Sequence, residues 1–437
     1  MARLFAGAAK RTVTPDRELF ERVVAENDRY SYHDIRSDMY VRTIALTDGE
    51  KRAVIIVTDL SVYPLSALLC KKLEARFGLS EDCCVIGGTR SHNGFSIGTT
   101  DPDSLAPAMR EYAEFVHTLT LDAVEESFAR CVPAEIGSAT GDSRVNACRD
   151  LVTPVGTLEA PSRVSGTEAF HLPVVHIRDE QGGTIAILIN YAMQSACLSW
   201  NQFNDTYNYY CGDFSAAVTT YLERQGQNRY PVLWVCGGGD DQHSGFDALV
   251  EYCDVSEQGE YRFVREVLPA EATLMLIRRG AAEQGLDVLR TIADIADYCT
   301  NFDISTAQVA FAVPSRKPYR KNLGEFPYAI GPAEPGGAPL RFTLRLARIC
   351  GIDFLGINAD MYSSYYRRAA SALNSKTLIL LDACFGSAGS IPDADNEEKG
   401  IYGIGTRGSR CFSARLAQDS FDGAMSELYG KITDFTR

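Results

Sequence analysis

The chain runs to 437 residues, 45% apolar and 23% charged, with a formal net charge of −14. That composition suits a soluble globular body with a substantial core, and the acidic balance excludes nucleic acid and an anionic membrane as bulk partners, since both require a basic surface. No apolar run reaches bilayer-spanning length and the opening Met1-Ala-Arg-Leu-Phe-Ala-Gly7 lacks the apolar stretch of a secretory signal, so a cytoplasmic protein without membrane contact is expected.

The first expected strand is Leu4 to Val13, followed by a polar segment to Asp34 that lies over the body. Arg42 to Leu46 and Ala53 to Val57 read as a hairpin across Thr47-Asp-Gly-Glu50, because both runs are short, β-branched and bounded by turn residues. Asp59 stands directly after the second of them. Leu65, Leu68, Leu69, Leu73 and Phe77 form a helical stripe between Pro64 and Gly78. Cys83 to Gly88 is the next strand, and a helix from Ser104 to Ala129 follows. Ala134 to His176 reads as loop-rich, with Arg144-Val-Asn-Ala-Cys-Arg149 its most polar piece. Pro173 to Ile177 and Thr184 to Asn190 make another strand pair. Gly212-Asp213 opens a helix to Arg224, and the strand Pro231 to Cys236 ends in Gly237-Gly-Gly-Asp-Asp-Gln-His243. Glu257 to Gln284 reads as helical, and Pro314 to Pro339, with six prolines, as a long surface loop. Strands return at Phe342 to Ala347, Asp353 to Ile357 and Thr377 to Leu381, before a helix from Ala414 to Ile432. No internal repeat stands out. Strands interleaved with helices predict an α/β (mixed α+β) fold, mixed β-sheets flanked by helices, as a single domain over residues 1–437. The thirteen cysteines include no CxxC pair and read as reduced, buried small residues, not as a disulfide framework.

Chemistry is expected at Val85-Ile-Gly-Gly-Thr-Arg-Ser-His-Asn-Gly-Phe-Ser-Ile-Gly98, where a β-branched pair runs into glycines and then into Thr89, Arg90, Ser91, His92 and Asn93. A second strand meets a polar cluster at Asp240, Asp241 and His243. Those donor types suit a divalent cation, and equally a turn whose acids cap a helix. Gly237-Gly238-Gly239 is no phosphate loop, because no Lys-Ser/Thr follows. Trp200, Tyr207, Tyr209 and Tyr210 form an aromatic stretch that either lines a pocket or packs in the core.

The order of segments resembles the catalytic domain of the neutral/alkaline, non-lysosomal ceramidase family over nearly the whole chain. Ala6-Gly7-Ala-Ala-Lys-Arg-Thr-Val-Thr-Pro15 is similar to that family's A-G-x-x-x-x-D-I-T-P opening. Ser37-Asp38-Met-Tyr-Val-Arg42 with Val57-Thr-Asp59 is similar to its H-D-P-L-Y-V-R-A and S-L-D, and Thr89-Arg90-Ser91-His92-Asn93-Gly94 to its T-H-T-H-S-G. Asn190-Tyr-Ala-Met-Gln194 stands at its N-x-A-x-H, Gly212-Asp213 and Gly239-Asp240 at its two G-D pairs, Ala359-Asp360 at a G-E, and Gly389-Ser-Ile-Pro392 at a G-Y-x-P. The resemblance implies an amidohydrolase with one zinc ion, held at the positions of Arg90, Gln194, Asp360 and Ser390. A guanidinium is a permanent cation, and zinc takes imidazole, thiolate or carboxylate donors. These residues therefore predict no metal and no other cofactor.

His92 stands at the second histidine of the motif, which in that family faces the reacting group, and Arg149 at an arginine after an N-x-N-R-like segment. The expected catalytic set is His92, Arg149 and Asp240, with Arg90, Asn93, Gln194, Tyr207, Asp241, His243, Asp360 and Ser390 binding substrate. Arg90 and Arg149 would clamp an anionic group while His92 moves a proton near neutral pH, and Asp360 would hold Arg90. The plainer readings are a backbone-bound His92 and a structural Arg90–Asp360 ion pair. The predicted function is a zinc-independent hydrolase, C–N hydrolysis first, on a small soluble polar or anionic molecule. Carbohydrate chemistry (glycoside hydrolase, lyase or isomerase) and binding without catalysis are the alternatives. A homo-oligomer is compatible with the Pro/Gly-rich loop, although no exposed apolar helix is visible to carry it.

Overall fold

Three times along the chain the same run of elements recurs. The computed structural model describes residues 2–27, 32, 34–153, 156–162, 169–198, 209–255, 261–315, 321–323, 326–329, 338–394 and 414–434. The first run is β1 (Phe5–Thr12), β2 (Tyr40–Thr47), β3 (Arg52–Thr58), a helix (Ser66–Phe77), β4 (Cys84–Gly88) and a long helix (Pro107–Ala129). A short helix, α1 (Arg17–Ala25), is inserted after β1, so the two just given are α2 and α3. The second run is β5 (Val132–Asp142), β6 (His171–Asp179), β7 (Thr184–Tyr191), α4 (Asp213–Gln225), β8 (Val232–Cys236) and α5 (Ala270–Ala293). The third is β9 (Ile304–Val313), β10 (Leu340–Ile349), β11 (Ile352–Ile357), α6 (Ser364–Leu373), β12 (Leu378–Leu381) and α7 (Ala414–Asp434). In each run the first three strands pair antiparallel and the fourth returns through its helix to lie parallel to the third. The first two sheets join through a short antiparallel contact, Phe5 opposite Pro133 and Ala6 opposite Val132, and the third stands as its own four-stranded sheet.

Alternation along the strands explains how three sheets share one body. In β3, Val54 and Ile56 pack with α2 and α3, while Ala53, Ile55 and Val57 face the other way. The same split holds for Ile187 and Ile189 against Ala186 and Leu188 in β7, and for Leu378 and Leu380 against Ile379 and Leu381 in β12. Successive side chains of a strand point to opposite faces, so a strand buried on both reads as a continuous apolar run. Each sheet thus has an outer core beneath its own helices, and the inner faces meet in a central core holding Val57, Val85, Leu188, Val235, Phe354 and Leu381. The absence of a visible repeat in the sequence is corrected here: what recurs is pattern and topology, not residue identity.

Several other expectations change. The polar segment before Asp34 contains α1, whose N-terminus is capped by the Asp16 carboxylate taking the Leu19 N–H at 2.8 Å. The loop-rich stretch Ala134 to His176 holds β5, a hairpin of Asn146–Thr153 with Gly156–Ser162, and the start of β6. The expected helix from Glu257 is replaced by paired strands Leu249–Val255 and Tyr261–Val267, and the helix runs later, as α5. Within Pro314 to Pro339, Lys321–Leu323 pairs with Phe326–Ala329, and the remainder lies largely outside the described residues. The hairpins, α2, α3, α4 and α7 form where expected. Eleven cysteines are described and all are free, seven of them buried. Among the described residues no helix is long and apolar enough to cross a membrane.

Candidate active centre

Strands β3, β4, β7, β8, β11 and β12 end in polar residues, the edge at which open α/β sheets bind ligands. Backbone bonds tie these ends together across the three runs. Asp240 donates its N–H to the Met361 carbonyl at 3.0 Å, Asp382 to that of Cys236 at 3.1 Å, and Asn190 binds both the N–H and the carbonyl of Leu380 through its carboxamide. Asn190 is thus a structural tie between the second and third runs.

The three glycines after β8 are there for packing. A Cβ at Gly237 would overlap the Leu380 carbonyl, Gly238 has a positive φ of 68°, and a Cβ at Gly239 would stand 2.8 Å from the Met193 nitrogen. Gly237→Ala is therefore expected to lower stability by about 1–3 kcal/mol through overpacking against backbone that cannot move aside. Urea unfolding measures it, and a loss below about 0.5 kcal/mol would show that the strand ends yield.

Arg90 lies at the centre of these loops. Its guanidinium sits 2.9 Å from the Asp360 carboxylate and donates to Ser61 Oγ at 3.2 Å. Its Nε–H is buried and has no hydrogen-bond partner among the described residues. The backbone at Arg90 is left-handed, φ 55°, a conformation costing a side-chain-bearing residue on the order of 1 kcal/mol. Burial opposes the guanidinium charge, but Asp360, Cys236, Asp240 and Asp382 outweigh it and raise the pKa above the ordinary arginine value. Gln194 donates to Asp240 at 3.0 Å, and Ser390 pairs with Asp360 through parallel backbone register. Asp360 also accepts from Ser387 Oγ at 3.3 Å.

Asp382 belongs to this centre and the sequence reading missed it. Burial pushes its carboxyl up to about 8, with the neighbouring Asp360 charge acting in the same direction against the N–H groups of Gly239 and Gly238 and the pull of Arg90. Its one available signal is position: Leu378-Ile-Leu-Leu381 runs straight into an acid, as Val57-Thr58 runs into Asp59.

The other expected residues are placed as follows. His92 is exposed and held by its backbone, its N–H on the Ser195 carbonyl at 3.1 Å and its carbonyl taking the Tyr32 hydroxyl at 3.3 Å. Asn93 is buried and donates to the Tyr209 carbonyl at 3.3 Å, leaving its Oδ1 without a partner. Asp241 accepts the Ser363 N–H and hydroxyl, both at 2.7 Å, at the start of α6, and burial pushes its pKa up to about 6. His243 is buried in an ion pair with Asp247. Asp241 and His243 thus each have a partner inside the protein. Arg149 lies in Asn146–Thr153, next to Cys148, which pairs with Gln242, and its side chain lies outside the described residues, as does Tyr207 altogether. Tyr210 packs in the core against Tyr112 and Phe95. Asp213 binds the N–H groups of Cys197 and Leu198 and so fastens that loop to α4.

The four positions that the resemblance assigns to zinc do converge, but their chemistry does not fit a metal. One offers a cation, one an amide already bound to Asp240, one a carboxylate already bound to that cation, and one a serine. Among the described residues no group of three or more His, Cys, Asp or Glu is arranged to hold a metal ion. Arg90 is bound to Asp360, as expected of the residue that would hold it, and lies within charge reach of Asp240 and Asp382.

No protein-family model and no curated protein matches the chain. Among solved structures, a ceramidase complexed with C2 superposes with a TM-score of 0.73 at 11% identity, over 98% of this chain and 75% of that one. The neutral ceramidase from Pseudomonas aeruginosa gives 0.72 at 12% identity, over 99% and 75%. The mixed sheets flanked by helices are therefore the fold of these ceramidases, carried by a sequence only 11–12% identical to theirs.

Proposed function

We propose that the chain is a hydrolase acting without the zinc of the ceramidase family, on a small soluble polar substrate, with C–N hydrolysis as its reaction. The observation that carries this reading is the Arg90 guanidinium, joined to Asp360 at 2.9 Å with its Nε–H unpartnered among the described residues, at the position where the resemblance implies a metal. A fixed positive charge in a largely dry centre stabilises negative charge developing on a carbonyl oxygen. Asp240, oriented by Gln194, takes a proton from water as the water oxygen adds to the carbonyl carbon. His92, at the exposed rim, gives a proton to the leaving nitrogen as the C–N bond breaks. The carboxylates of Asp360 and Asp240 beside one arginine favour a neutral or cationic substrate over an anionic one. A second reading, glycoside hydrolysis, draws on Asp382: a carboxyl titrating near 8 keeps its proton at neutral pH beside an ionised neighbour, the acid and base that such chemistry needs.

Short N-acyl amines and nitrophenyl glycosides, offered to protein treated with phenanthroline and EDTA, separate these readings. Turnover of the amides that survives chelation and falls by about 100-fold or more in Asp240→Asn supports the proposal. Activity that chelation abolishes and zinc restores overturns it, and turnover of glycosides alone transfers the centre to the second reading.

A further inference from the structure

Only six large apolar side chains among the described residues stand well exposed, and three of them, Met275 at 69%, Leu286 at 47% and Leu289 at 38%, lie on α5. At 100° per residue they fall with Ala282 and Ala293 inside an arc of about 60° along the outer face of that helix. The opposite face of α5 is buried through Ile277, Ala281 and Val288 against α4 and the second sheet. An amphipathic helix places its apolar stripe inward, so a second apolar stripe facing outward calls for a partner.

We propose that this face joins two copies of the chain through an antiparallel α5–α5 contact. The charges on the helix select that occupant. Arg279 and Glu283 border the same flank of the stripe, and a twofold axis crossing the helix near Ala281 brings equal flanks together in opposite directions. In that register Met275 of each copy meets Leu286 of the other, and Arg279 of each meets Glu283 of the other. The small side chain of Ala282 lies at the crossing, where it permits close approach. A parallel arrangement would place the two copies of that flank on opposite sides of the contact, leaving Arg279 and Glu283 without each other as partners across it. The contact is isologous and closes at two, so it produces a dimer and not a filament. One helix pair buries less than the roughly 1,200–2,000 Å² of a standard interface, the size class of weak, transient contacts.

Sedimentation velocity from about 1 to 100 µM reads this directly. Wild type is expected to pass from monomer to dimer across that range. Met275→Glu with Leu286→Glu weakens association by at least about tenfold, and Arg279→Glu does the same by setting like charges opposite one another. Because all three positions are solvent-facing, these variants retain the wild-type unfolding midpoint. The exchange Arg279→Glu with Glu283→Arg restores association to near the wild-type value, a result that only mutual pairing of the two positions across copies produces. A chain that stays monomeric throughout overturns the proposal, as does a dimer indifferent to the Met275 and Leu286 substitutions. An exchange variant that remains weak overturns the antiparallel register.

Discussion

Arg90→Met is expected to reduce stability by about 3–5 kcal/mol, because removing one partner of a buried pair leaves the other charge uncompensated. Here the partner is Asp360, and Asp240 also lies within charge reach of Arg90. The loss should depend on pH, and its direction follows from Asp382. A carboxyl whose folded pKa is raised to about 8 stabilises the fold while protonated. That contribution is complete below the unfolded value near 4 and is lost as pH rises through 8. Without Arg90 the opposing pull on these carboxyls disappears, so the decline toward alkaline pH steepens. Urea unfolding at about pH 5 and pH 9 should therefore show the smaller deficit at the acid end. A deficit that is equal at both, or larger at the acid end, would contradict the placement of Arg90 among carboxylates. Arg90→Lys should recover part of the loss only, since an ammonium keeps the charge but cannot span Asp360 and Ser61 as a planar fork does.

The legible part of the fold was the part with regular spacing. Short β-branched runs on either side of Thr47-Asp-Gly-Glu50 can only be a hairpin, and Leu69, Leu73 and Phe77 before Gly78 mark one buried helix face. Helix α1 escaped notice because Arg17-Glu-Leu-Phe-Glu-Arg-Val-Val-Ala25 buries only Leu19, Phe20 and Val23 and carries four charged residues among its nine. Strand β5 escaped because Gly137 and Gly141 interrupt its alternation, and each is needed where Tyr298 and Thr291 press against it. The repeat was invisible because alternate apolar positions can be met by many residues. At the candidate centre, Arg90 and Asp360 were paired in advance by the resemblance, and the structure joins them. What no spacing could reveal was the company they keep: Asp382 lies 22 residues from Asp360 in a different loop, and its proximity is a product of the third run's topology.

The second large effect is expected far from that centre, at Arg42. This side chain is 2% exposed, donates to Asp59 at 2.7 Å, to Glu223 at 3.0 Å and to Thr219 at 3.2 Å, and lies over the Tyr40 ring. Glu223 in turn takes Lys10 at 2.7 Å and the Val232 N–H at 3.1 Å, while Asp59 takes the Tyr40 N–H at 2.8 Å. Two anions and two cations balance, and the network fastens β2 and β3 of the first run to α4 and β8 of the second. Arg42→Met is expected to lose about 3–5 kcal/mol by leaving Asp59 buried and unneutralised and Glu223 with Lys10 alone. Adding Asp59→Asn and Glu223→Gln to the same chain should return a large share of that loss, because it removes the stranded charges while keeping hydrogen-bonding groups for the Tyr40 and Val232 N–H donors. Chemical denaturation of the single and triple variants decides the matter. A triple variant no more stable than Arg42→Met would mean that Arg42 acts through its packing and its bond to Thr219, and that charge balance contributes little to holding the two runs together.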